Sequence, residues 1–169
     1  MPNIRAFHGA LSRLEGACSS PRVMERVGEL VRGQAVLGCP GGESGALRNS
    51  IAYSVIGDSR GASAHIGTNM EYAMYVEFGT GPKGASRHEG VSPDVQVRYS
   101  PEPWWVHSSM LDPATARKWN GGRELPPQGR FFRISGQAAQ PFLYPAVHNN
   151  RQEICQIVED SLIRTIGGR

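Results

Sequence analysis

The sequence predicts an α+β fold: a small, mostly antiparallel sheet flanked by N-terminal, short central and C-terminal helices, with a long loop insertion. Three observations carry this. Apolar residues recur at three- and four-residue steps near both ends of the 169-residue chain. Between residues 51 and 66 they alternate with polar ones around a glycine turn. Residues 82–130 hold seven of the 12 prolines and all three tryptophans, with little periodicity. The chain reads as a single domain, 1–169, made of an N-terminal helical region (4–37), a hairpin plus short helix (48–81), the insertion (82–130), and a short strand with a C-terminal helix (131–169).

In the first region Ile4, Phe7, Leu11 and Leu14 share one helical face. Gly16 and Pro21 interrupt it, and Ser20 is placed to cap a new start with Pro21 at the first helical position. Val23, Val27, Leu30 and Val31 continue the stripe until Gly38, Pro40 and Gly41-Gly42 end it. Ile51, Tyr53 and Val55 then alternate with Ser50, Ala52 and Ser54. Ala62, Ala64 and Ile66 do the same after a turn at Gly57 to Gly61, which predicts a hairpin with a five-residue loop.

Thr68-x-x-Glu71 has the form of a capping box for a helix over 69–78. Tyr72, Tyr75 and Val76 would supply its packed face, and Gly79 stands where a left-handed C-terminal residue is wanted. So short a helix must dock on something to persist. Within the insertion, strands are expected at 94–99 and 104–107, and Phe131–Ile134 reads as a returning strand. Pro145 cannot sit deep in a helix, so the last helix is expected to start there. Its face would be Val147, Arg151, Ile154, Val158 and Leu162, with Gly167-Gly168 at the end.

Composition excludes several classes of function. Net charge is +3 and the basic residues are scattered, sixteen Arg to two Lys, without the clustered charge of a general nucleic-acid binder. Cys18, Cys39 and Cys155 are an odd count with no close pair, against both a disulfide framework and a zinc site. No apolar run reaches the ~18 residues that span a bilayer, and no signal-peptide core is present. A protein made and used in a cytosol is expected.

Catalytic patterns fail on context. Gly79-x-Gly81-x-x-Gly84 matches a dinucleotide-binding pattern literally, but it follows a helix and Pro82 removes an amide that a phosphate would need. His88-Glu89 lacks a second His, with Ser92 in its place. His107, Ser108 and Ser109 are adjacent without a nucleophile elbow. Glu71 and Glu77 do not share a helical face. No catalytic residue, metal ligand or cofactor site is predicted. Two groups remain. Trp104 and Trp105, with Trp119, Arg98, Arg117 and Arg123, have the makeup of interface anchors or of a base-stacking surface. Glu77 is either an ordinary exposed carboxylate or half of an inter-subunit salt bridge to an Arg such as Arg48.

Three blocks in order, SGALRNSI (44–51), IGTNMEYAMYVEFGTGP (66–82) and GRFFRISGQAAQPFLYPA (129–146), resemble the minor tail component family of tailed bacteriophages, the head–tail joining or tail-completion proteins of the lambdoid type. The matching positions are Gly45, Leu47, Arg48, Tyr72, Ala73, Glu77, Gly79, Thr80, Pro141, Phe142, Pro145 and Ala146, all architectural in the family. The long segment between Gly81 and Gly129 departs from compact relatives and marks a longer-loop subgroup.

The resemblance implies a structural virion protein, not an enzyme, working without a cofactor in a ring at the neck or tail end. Six copies are expected on the family's symmetry, twelve being the second choice. Its partners would be head-closure, tail-terminator and tail-tube proteins. Genomic DNA would pass through the channel without sequence-specific binding, and no membrane would be involved. The protein would be found in the host cytoplasm during assembly and in the virion afterwards. The alternative is a DNA-binding accessory protein using the loop that bears Arg and Trp, with binding that falls steeply with salt.

Overall fold

The computed structural model describes residues 20–42, 44–58, 61–111, 123–125 and 129–166. The chain divides into two compact units, Met1–Ala73 with Pro141–Arg169, and Met74–Gln140. The expected helix face at Ile4–Leu14, Cys18, Arg117, Trp119 and the Gly167-Gly168 stop lie outside the described residues. Helices and antiparallel strands are segregated along the chain, the α+β class that the sequence predicts.

In the first unit, α1 (Pro21–Gly38) buries Val23, Val27, Val31 and Ala35, one residue per turn. The same stripe buries Gly28, against which the Tyr53 ring lies. Ser20 occupies the cap position but its hydroxyl does not cap. The Val23 amide, a donor that the hydroxyl could have met, instead reaches the Ser20 carbonyl at 3.0 Å. At the other end Cys39 is extended and buried, and its carbonyl accepts from Arg48 Nη2 at 2.7 Å.

The SGALRNSI block forms a short helix ahead of the first strand. Gly45, at φ +64°, turns the chain into a short helix α2 (Ala46–Ser50) that buries Leu47. Strands β1 (Ala52–Asp58) and β2 (Gly61–Gly67) then pair antiparallel from Ala52↔Gly67 to Asp58↔Gly61. Only two residues separate the paired ends, not five. The ladder continues through the glycines, and Asp58 Oδ1 accepts the Gly61 amide at 3.2 Å. Tyr53, Val55, Ala64 and Ile66 share the half-buried face, and α1 packs on both strands.

The capping box does not form. The Thr68 hydroxyl accepts the Met70 amide at 3.1 Å and shares a 2.6 Å hydrogen bond with Ser50 Oγ, closing a local turn. The central helix therefore starts later, as α3 (Ala73–Phe78).

The C-terminal helix is two helices. In α5 (Leu143–His148) Pro145 is the third residue, inside the first turn where its missing N–H breaks no bond. The side chain of Asn150 donates to the Ala146 carbonyl at 2.9 Å, while its own carbonyl accepts the Ile154 amide at 2.9 Å. That junction ends α5 and opens α6 (Arg151–Ile166). The break redirects the stripe. Val147 is exposed, Phe142 and Ala146 enter the core, and Ile154, Ile157, Val158 and Leu162 are half-buried. Both helices pack on α1.

The second unit holds α3 from Met74 onward, α4 (Gly81–Ser86), and a three-stranded antiparallel sheet in the order β3-β5-β4. Its strands are β3 (Trp104–His107), β4 (Arg123–Leu125) and β5 (Gly129–Ile134). The strands expected at 104–107 and 131–134 are present; the one at 94–99 is not. There the chain turns locally, the Val95 amide reaching the Ser92 carbonyl at 3.3 Å. What anchors the stretch is the Tyr99 hydroxyl, which donates to the Phe78 carbonyl at 2.8 Å. On β5 the buried Phe132 pairs with Val106, so one face of the sheet is closed.

Candidate protein interface

Two features of the second unit bear on interaction. One is a clasp around Thr80. Gly79 is left-handed (φ +74°), as its position predicts, and its amide donates to the Tyr75 carbonyl at 3.0 Å. Thr80 and Gln137 then exchange backbone hydrogen bonds of 2.9 and 3.1 Å. Gln137 Nε2 donates to the Tyr75 carbonyl at 2.6 Å, and the Gln140 amide to Val76 at 2.8 Å. The segment 137–140 thus takes up the open carbonyls at the end of α3. Packing explains the glycine pattern that mimics a dinucleotide loop. A Cβ at Gly81 would lie 2.7 Å from the Trp104 ring, and one at Gly84 would lie 2.8 Å from Tyr99.

These hydrogen bonds decide which face of α3 is covered. Ala73 and Glu77, one turn apart, are buried, while Tyr72, Met74 and Tyr75 are exposed. The sequence pattern predicts Tyr72, Tyr75 and Val76 as the packed side. Of these only Val76 is partly covered. Glu77 is just 4% exposed and engaged within the folded chain, so it is not an ordinary surface carboxylate. Arg48, the candidate partner across subunits, is held on the Cys39 carbonyl.

The other feature is the outer face of β3 and β5. The register sets Trp105 opposite Arg133 and His107 opposite Phe131. The His107 and Phe131 rings meet edge-on, with centroids 5.1 Å apart. Trp105 is 51% exposed, and Arg133 and Arg98 are exposed as well. Trp104 points to the opposite face with Ile134, against Gly81, and keeps 38% exposure. The two tryptophans singled out by the sequence therefore play different parts. Sequence reasoning missed His107, Phe131 and Arg133 as members of this face, although the alternation in GRFFRI is the signal that could have found them.

Among the other architectural positions, Phe142 and Ala146 are core, and Pro141 and Pro145 are partly covered where α5 begins. The first unit carries an open groove of about 880 Å³ lined by residues including Tyr53, His65, Ile66, Thr68 and Met70, with no charged carboxylate or guanidinium on its walls.

The Tyr99 phenol is pushed above its usual value of 10.0 by burial. A raised acid pKa means that its contribution to stability is complete below the unfolded value and is lost as pH rises through the folded one. Tyr99 is therefore expected to ionise above the usual phenol range in an ultraviolet titration, a late step that Tyr99→Phe removes. Its hydrogen bond to the Phe78 carbonyl should hold until that late step. A titration whose alkaline end is unchanged in Tyr99→Phe would refute this.

Among the described residues no group of His, Cys, Asp or Glu is arranged to hold a metal ion. No helix among them is long and apolar enough to cross a membrane. The His107 ring accepts from the Ser109 amide at 3.2 Å and shares a 2.7 Å hydrogen bond with its hydroxyl. That is the local cap of a single turn, Ser108–Met110, and not a presented nucleophile.

Residues 6–79 match the family described as "Bacteriophage HK97-gp10, putative tail-component". That stretch contains the SGALRNSI and EYAMYVEFG blocks and ends at Gly79; the QPFLYPA block lies beyond it. The family is one of structural tail components and not of enzymes. No curated protein and no solved structure matches the chain.

Proposed function

We propose that this HK97-gp10-like phage tail component assembles as a ring at the head–tail neck or tail end, where it joins or completes head and tail and leaves a channel for DNA. The observation that carries the reading is the uncovered aromatic and apolar surface of the second unit. Tyr75, Met74 and Trp105 are all more than half exposed, the first two on α3, whose end meets the Thr80–Gln137 clasp, and the third on β3, paired to β5. Large rings and Arg displayed on a fixed scaffold are what interface centres are made of. Water gains nothing from them in an isolated chain. A closed ring further requires two different patches that meet head to tail, and the two units offer distinct surfaces. Six copies remain the expected number.

The test is deletion of the gene in the phage that encodes it. Lysates should then hold filled heads and free tails that do not join, and supplying the protein in trans should restore infectious particles with the chain in their necks. Normal virions without the protein would overturn the reading.

A further inference from the structure

We propose that the outer face of β3 and β5 binds single-stranded nucleic acid, stacking bases on Trp105 and Phe131 and holding phosphate on Arg133, without reading sequence. The inference goes beyond the ring reading and does not depend on it. Two uncovered surfaces of the second unit differ in chemistry. α3 exposes Met74 and Tyr75 and has no exposed charge along the helix. The sheet face combines rings with cations. The exposed Trp105 stands opposite the exposed Arg133, and His107 stands opposite Phe131, both half-buried. The register also sets Arg123 of β4 across from Phe131. Glu124, the one acid in the three strands, is paired with Arg130 and not with these residues. Strand pairing thus gathers arginines that the linear sequence scatters onto rows without a carboxylate.

That makeup fits a polyanion whose units also carry flat rings. A carboxylate would satisfy Arg133 alone, whereas a nucleotide satisfies both groups, its phosphate on the guanidinium and its base on the indole. Spacing favours a single strand over a duplex. Trp105 and Phe131 are diagonal neighbours on paired strands, about 7–8 Å apart. Bases in a duplex follow one another at about 3.4 Å along each strand, so bases that reach both rings must be unstacked. Stacking accepts any base, which leaves the contact indifferent to sequence.

Fluorescence anisotropy of a labelled oligo(dT) of about 15 nucleotides, titrated with the purified full chain, tests this. The oligomer should bind, with quenching of tryptophan emission, and more weakly as salt is raised. Trp105→Ala should weaken binding about tenfold and remove most of the quenching. Arg133→Gln should lower the slope of log K against log salt by about 0.7, the share of one phosphate on a single strand. Both side chains are exposed, so the circular dichroism of each variant should remain that of the wild type. A duplex of the same length and poly-glutamate should each bind at least about tenfold more weakly, for want of free bases. An oligo(rU) arm separates the two sources of the ligand: tighter binding of either sugar supports the proposal and names it. Oligo(dT) and oligo(rU) both left unbound, a duplex held as tightly, or a Trp105→Ala chain that binds as the wild type does would each overturn it. Poly-glutamate held as tightly would also overturn it, and would assign the face to an acidic protein. Deletion of the gene is a separate measurement. Heads and tails that fail to join without the chain, while the oligomers go unbound, keep the ring reading and sink this one.

Discussion

Phe142→Ala is expected to destabilise the first unit by about 3–5 kcal/mol, the range for removing a large aromatic side chain from a closed core. Phe142 is 1% exposed, where the chain turns into α5 against the end of α1. Its Cα and Cβ lie 3.9 Å from where a Cβ on Gly38 would stand, so the turn into α5 sits directly on the end of α1. For a protein of this length the loss corresponds to a melting point lower by roughly 6–20 °C. Phe142→Leu should recover much of it by refilling volume. Urea unfolding followed by circular dichroism gives the number. A cost below about 1 kcal/mol would show that the two helices are not held on α1 through this ring.

Gly136→Ala should be about as damaging, for a different reason. Gly136 sits at φ +79°, a region that costs an L-residue about 1–2 kcal/mol. Its added Cβ would run into the Thr80 carbonyl oxygen. That oxygen accepts the Gln137 amide, so relief of the clash must open the Thr80–Gln137 pair, at about 0.5–1.5 kcal/mol for each hydrogen bond broken. A total of roughly 2–5 kcal/mol follows, confined to the second unit. Amide exchange at Thr80 and Gln137 should speed up sharply, while exchange along β1 and β2 stays as in the wild type. Gly42→Ala is the control. It too has a positive φ, but nothing lies within 4 Å of the new Cβ, so only the backbone cost applies. Equal effects from the two substitutions would refute the clasp.

Whatever local rules decide is legible in the sequence. The α1 stripe, the alternation through 52–66, the stop at Gly79 and the strands at 104–107 and 131–134 each follow from periodicity or a glycine within one element. What is not legible depends on partners far along the chain. Nothing near Thr68 announces that its hydroxyl is taken by Ser50 and Met70 instead of opening a helix. The buried side of α3 is chosen by Gln137 and Gln140, some sixty positions away. Asn150 divides the last helix by capping in both directions, which a face drawn through Val147 and Arg151 cannot reveal. The candidate interface is half visible. Trp105 stands out as an unusual residue, while Arg133 and Phe131 need the strand register to join it.

The first unit is sewn from two distant stretches of chain, whereas the second is one uninterrupted run of 67 residues between them (74 to 140). A ribosome delivering about 5–20 residues per second therefore leaves roughly 3–14 s between the last residue of the hairpin half and the arrival of Phe142. For that interval Val27, Val31 and Ala35 wait without the helices that will cover them, while the later-made unit already has all its parts. Nascent chains are thus expected to be most prone to chaperone capture after residue 73 and before residue 142 emerges, and to lose that exposure abruptly once the C-terminal helices are released.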